Sequence, residues 1–246
     1  MQYTKLREDL AAALRWAARE RLHEGVDNHF SMAVPDQQGN VRGDRFLINP
    51  YRMHWSKVCA SDIVLCDQDG TVVEGKHAVE RSAFCIHSRV HLGRPSAVVA
   101  LHTHMPYATA LAHIAGGRLA MSGLASLMFD GRLSYDDTFD GIALEAEEGD
   151  RIAAALGDAD VLFLAGHGVL ATGRDMASAF NDLYYLERAC MFQVLARGHG
   201  GDLLEISHEV RERTRDQFRE NLPEVAAGHF AEIKRVLAEE EPEFLQ

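Results

Sequence analysis

The chemical signal in this chain lies in three histidines: His102 and His104 in "VVALHTHMPYA", and His167 in "VLFLAGHGVL". In a strand, side chains two positions apart share a face, so an H-x-H pair where a strand leaves its sheet sends both imidazoles the same way. His167 follows a second apolar run and stands between two glycines, which let the backbone turn and pass close to a neighbour. If both runs end at one edge of the sheet, three neutral imidazoles supply three corners of a tetrahedral or octahedral metal site and leave positions open for substrate. An H-x-H pair alone, among 13 histidines, would be ordinary hydrogen-bonded packing; the second strand end is what points to a metal.

The elements that must position these residues can be read from periodicity. Residues 4–24 carry Leu6, Leu10, Ala13, Leu14 and Ala17 at helical spacing, with Gly25 placed to end the helix. Phe30, Met32 and Val34 alternate as in a strand, "RFLINP" reads as another, and "DIVLCDQDGTVVEG" has the Asp-Gly turn of a hairpin. Residues 78–92 turn helical, and "SAVVALHTH" follows as a strand buried on both sides. "EEGDRIAAALGD" reads as a short helix ending near Gly157, and residues 175–197 as a long amphipathic one. Residues 108–140 give no clear period. Helices around a sheet with antiparallel and buried central strands predict an α/β fold, a three-layer α/β/α sandwich with a central mixed, largely antiparallel sheet. With no repeat or linker, residues 1–246 read as a single domain, with a charged, helical C-terminal extension from about residue 200.

Composition narrows the partners. Twenty-five basic against 37 acidic residues give a net charge of −12, which disfavours nucleic acid and anionic membrane surfaces, so an anionic substrate must meet a local cation. Cys59, Cys66, Cys85 and Cys190 show no short paired spacing, which argues against a zinc ribbon or a disulfide framework. "MQYTKLREDL" is charged where a signal peptide needs an apolar core, and no apolar run approaches the ~20 residues that cross a bilayer. A cytoplasmic protein acting on a small molecule is expected.

The two histidine motifs, with the helix "AFNDLYYLERA", resemble the class II aldolase/adducin family over roughly residues 6–195. The resemblance implies a divalent metal held by His102, His104 and His167, with zinc the first choice and manganese or iron(II) as alternatives, and a homotetramer with sites between subunits, where Phe129 and Tyr135 fall near the boundary. The adducin branch lacks these ligands, so their presence favours an enzyme. Two departures from the family's sugar-phosphate aldolases stand out. Their catalytic glutamate position is occupied by Ala83, which leaves Glu80, one turn earlier on the same helical face, to reach the site. Their small phosphate-binding residues are replaced in "GVDNHFS", and Tyr51 and Arg52 stand where a Thr-Gly pair belongs, which obstructs a phosphate cradle.

Glu80 and His29 are therefore the candidate catalytic groups, and Asn28, Ser31 and Arg52 the candidate substrate contacts, Arg52 offering a fork suited to a carboxylate. His87 and His91 are expected to pack or to support the site, and Tyr184 and Tyr185 to pack along their helix. The expected function is a metal-dependent lyase, of aldolase or decarboxylase type, that cleaves a C–C bond in a small hydroxy or keto carboxylic acid through a stabilised enolate. Two alternatives stand beside it: an Fe(II)-dependent oxygenase acting on a keto acid, and a non-catalytic, adducin-like assembly module.

Overall fold

The computed structural model of the chain describes residues 1–141 and 145–246. Strands β1 (His29–Pro35), β2 (Val41–Ile48), β3 (Val64–Asp67), β4 (Val72–Glu74), β5 (Val99–Thr103), β6 (Leu133–Asp136), β7 (Val161–Leu164) and β8 (Gly168–Gly173) form one sheet. Its order is β4-β3-β2-β1-β5-β8-β7-β6, antiparallel throughout except between β6 and β7. Helices α1 (Thr4–Arg19), α3 (Pro106–Ala112) and α6 (Met176–Gly198) pack on one face, and α2 (Arg81–Gly93) and α5 (Ala146–Leu156) on the other. This is the mixed, largely antiparallel α/β/α sandwich expected from the sequence.

Alternation along the strands sorts side chains between the two faces. Phe30, Met32, Val99, Leu101, Phe163 and Val169 enter the larger core with Leu10 and Leu14 of α1 and Phe180 and Leu183 of α6. Ala100, Leu162 and Leu170 enter a smaller core with Ile86 and Val90 of α2 and Ile152 of α5. By the same alternation His29 and Ser31 of β1 and His102 of β5 fall on the α2 face. β1 and β5 are antiparallel neighbours in which His29 stands directly opposite His102.

Several elements depart from what periodicity predicts. α1 stops at Arg19, short of Gly25, because Arg21 takes the left-handed conformation (φ 58°) and closes the helix. The Leu22 N–H reaches back to the Ala17 carbonyl and the Arg21 N–H to that of Ala18, the paired bonds of a Schellman ending. "GVLATG", unassigned from periodicity, is β8, so His167 sits in the turn of a β7–β8 hairpin. Residues 108–140 contain α3, α4 (Leu124–Leu127) and β6, elements too short to show a period. Helix α7 (His208–Glu240) buries Phe230, Ile233 and Leu237 in the larger core, and Arg15 of α1 pairs with Glu241 and Glu243 just beyond it. No helix among the described residues is long and apolar enough to cross a membrane.

Candidate functional site

The C-terminal end of β5 and the β7–β8 turn meet at one edge of the sheet, as β5 pairs with β8 from Val99 opposite Gly173 to Thr103 opposite Val169. Gly168 makes the approach possible: a Cβ there would stand 2.5 Å from the Thr103 carbonyl oxygen and 2.9 Å from His104 Cδ2. Past His104, α3 is anchored by Glu187 of α6, whose buried carboxylate accepts the Tyr107 and Ala108 N–H groups at 2.9 Å each. A carboxylate at a helix N-terminus satisfies two otherwise unpaired donors.

One nitrogen from each of His102, His104 and His167 lies within 4.8 Å of the other two, and among the described residues this is the group suited to a metal ion. Protonation fits that use. The His102 Nδ1–H donates to the Val169 carbonyl at 3.0 Å, which leaves Nε2 with its lone pair, 3.2 Å from His104 Nε2. Burial holds His102 well below the usual imidazole range and His167 down to about 4, with neighbouring imidazoles adding to the shift, so both remain neutral donors.

These histidines open onto a cavity of about 680 Å³ that is also lined by Glu24, Asp27, His29, Glu80, Thr109 and Phe139. Its described wall holds three carboxylates and neither lysine nor arginine, a charge pattern that draws in a cation. Neutral imidazole nitrogens converging beside an acidic wall fit a divalent ion.

His29 stacks on His102, its ring centroid 4.9 Å away, and its Nε2 is 3.8 Å from Glu80 Oε2. Burial, then the charges His104 and His167 would carry if protonated, bring His29 down to about 3. Glu80 reaches the cavity by a different route from the one its spacing suggests. It is the N-cap residue of α2 with extended backbone, outside the helix, while Ala83 points into a separate small core with Phe46, Ile48 and Val64. Burial raises the Glu80 carboxyl, opposed by the hydrogen bond it accepts from the Ser82 hydroxyl at 3.1 Å.

The three candidate substrate contacts have different surroundings. Asn28 is buried and is not among the residues that line the cavity; its side-chain oxygen accepts the Glu24 N–H at 2.7 Å and the His104 N–H at 3.3 Å, leaving Nδ2 without a protein partner. Ser31 lies outside the cavity: it is fully buried under the sheet, bonded to His87 and His91. Arg52 also stands apart from the lining; it is exposed, its guanidinium 4.7 Å from the centre of the Tyr51 ring, and it reaches Glu80 only through its field. Ser31 is drawn inward by strand alternation, and Arg52 is turned to solvent at a left-handed residue (φ 60°). Spacing alone does not pick out Thr109, a lining residue whose buried hydroxyl has no partner, or Glu24. Phe129 is core, and Tyr135 stacks on Phe163 and accepts the Leu119 N–H.

Residues 8–194 match the family model described as the class II aldolase and adducin N-terminal domain. A putative aldolase class 2 protein of Caulobacter vibrioides is 33% identical over 217 residues, which cover 88% of this chain and 80% of that protein. Decarboxylase NovR of Streptomyces niveus is 29% identical, covering 89% and 79%. A 4-hydroxy-3-prenylphenylpyruvate oxygenase/4-hydroxy-3-prenylbenzoate synthase of Streptomyces roseochromogenus is also 29% identical, covering 81% and 70%. Among solved structures, an aldolase II superfamily protein of Pseudomonas syringae superposes with TM-score 0.90 at 31% identity, over 100% of this chain and 96% of that one. L-fuculose 1-phosphate aldolase of Glaciozyma antarctica superposes with TM-score 0.84 at 26% identity, over 98% and 92%.

Proposed function

The chain belongs to the class II aldolase and adducin family, and from that premise we propose that it is a metal-dependent carbon–carbon lyase, of aldolase or decarboxylase type, acting on a small hydroxy or keto carboxylic acid. The observation that carries this reading is the meeting of three neutral imidazole donors with His29 and Glu80 at one cavity. A divalent ion held by His102, His104 and His167, zinc first and manganese or iron(II) as alternatives, would supply Lewis-acid stabilisation of enolate charge at a substrate carbonyl.

The chain's own residues supply the rest. His29 presents Nε2 to the cavity 3.8 Å from the Glu80 carboxylate, so a substrate hydroxyl resting against both from the cavity side meets an acceptor for its proton as the adjacent C–C bond breaks. Glu80, raised by burial, is suited to return a proton to the carbon left behind. Of the unpartnered buried polar groups, the Thr109 hydroxyl belongs to a residue of the cavity lining and is the one suited to orient a substrate oxygen, while Asn28 holds the backbone at Glu24 and His104 from behind it. With neither lysine nor arginine in the described wall, the substrate's carboxylate would have to bind at the divalent ion itself, and a phosphate dianion would find no second cation beside Glu24 and Asp27. A homotetramer in the cytoplasm is the proposed setting.

Anaerobic incubation of the zinc- or manganese-loaded protein with hydroxy and keto acids tests the reading. C–C cleavage that is lost in His102→Ala supports it, and cleavage that survives that change without bound metal contradicts it. The oxygenase relative gives a second reading, iron-dependent oxidation of a keto acid at the same ligands, which predicts oxygen uptake with Fe(II) and no anaerobic turnover.

A further inference from the structure

Behind His29, on the side away from the cavity, a line of buried polar groups runs under the sheet. His29 Nδ1 is 3.2 Å from His87 Nε2, His87 Nδ1 is hydrogen-bonded to Ser31 Oγ, Ser31 Oγ is 2.7 Å from His91 Nε2, and His91 Nδ1 is 2.8 Å from the Ala97 carbonyl oxygen. His87, His91 and Ser31 are at most 1% exposed, so each must find its partner within the protein.

The direction of every bond in this line follows from its last member. A carbonyl oxygen only accepts, so His91 carries its proton on Nδ1 and leaves Nε2 as an acceptor. Ser31 has one hydroxyl proton and donates it to His91, so its oxygen accepts the Nδ1–H of His87. His87 Nε2 is then a lone pair that accepts the Nδ1–H of His29. Burial keeps His87 and His91 neutral, which removes the doubly protonated imidazole that would otherwise break the sequence.

We propose that His87, Ser31 and His91 are positioning residues that lock His29 as its Nδ1–H tautomer, so that Nε2 faces the cavity as a hydrogen-bond acceptor in every molecule. The lock deepens the proposed function, on which its catalytic meaning rests, and it favours substrates that present a hydroxyl proton to His29 Nε2. Ser31 thus acts on the reaction through two histidines without touching substrate. The Ala97 carbonyl, at the far end, sets which nitrogen of His29 is bare.

Long-range proton–nitrogen correlation spectra of the full chain, labelled with ¹⁵N-histidine and loaded with diamagnetic zinc, read the tautomer directly, with His29 assigned by its loss in His29→Gln. Protonated Nδ1 and bare Nε2 at His29 are expected; protonated Nε2 overturns the proposal. In Ser31→Ala, His87 is released to protonate Nε2, so His29 should lose its single tautomer, and kcat should fall roughly 10–100-fold with KM and metal content little changed. Ser31→Thr, which keeps the hydroxyl, should restore both. An unchanged His29 tautomer in Ser31→Ala contradicts the lock whether or not a substrate is known, whereas a locked His29 without lyase activity would sink the proposed reaction and leave the lock standing.

Discussion

Two groups of histidines meet at the cavity, and they are chemically alike until their partners are compared. His102, His104 and His167 converge, one nitrogen from each within 4.8 Å of the others. His29, His87 and His91 run in a line, each bonded to the next directly or through Ser31. Burial makes members of both groups neutral, so charge does not separate them. Each group has a backbone carbonyl at one Nδ1, Val169 for His102 and Ala97 for His91. In one group the freed lone pair faces the ring nitrogens of the other two imidazoles, an arrangement that suits a cation; in the other it accepts an N–H or O–H, which fixes a direction. An imidazole's role is thus set by what its second nitrogen touches.

The sharpest way to break this division is at its hinge, His29, which stacks on a proposed ligand but is bonded to the line. His29→Gln should retain metal and lower kcat by ~10²–10⁴, the usual contribution of a general acid–base group. A fall in metal content of the same size would merge the two groups. Gly168→Ala attacks the convergent group alone, since its Cβ would press on Thr103 and His104. It should cost roughly 1–3 kcal/mol in denaturant unfolding and weaken metal retention, with the His29–His87 bond untouched.

Glu80→Gln should lower kcat by ~10²-fold, the lower end of the general acid–base range, with no loss of metal, because it removes the second proton carrier while His29 remains. The gentlest probe is pH. Folded His91 is held down to about 4 and His87 well below the ordinary 6.5, so between those values the unfolded chain binds more protons than the folded one. Stability should therefore fall as pH drops from about 7 toward 4, by at most roughly 1.4 kcal/mol per pH unit for each residue. Thermal unfolding at pH 7 and pH 5, compared between the unaltered chain and His91→Gln, isolates the contribution of the line from those of the other buried histidines and of Asp182, and a pH dependence unchanged in His91→Gln would contradict it.

The sequence already displayed the convergent group, because its spacing is local. His102 and His104 are two apart at a strand end, and His167 has glycines on both sides. A supporting place for His87 and His91 is readable from their helix, but their connection to His29 and through Ser31 is not, since it depends on β1 and β5 pairing in register and on α2 lying across both; the Ser31 contacts span 56 and 60 residues. Glu80 stands out by its distance from Ala83, but it reaches the cavity as an extended residue before α2 begins. The guanidinium of Arg52 suits a carboxylate, but side-chain chemistry says nothing about where a left-handed residue sends its side chain. The sandwich was legible from alternation, and the end of α1 was not, because an arginine rather than a glycine takes the left-handed position.

The division between the two groups is tested most directly by bound metal, determined by elemental analysis on protein purified without chelators or a histidine tag, for the unaltered chain, His104→Ala and His29→Gln. Near-stoichiometric divalent metal in the unaltered chain and in His29→Gln, with loss in His104→Ala, is the predicted result. Metal retained in His104→Ala, or lost equally in His29→Gln, would contradict it.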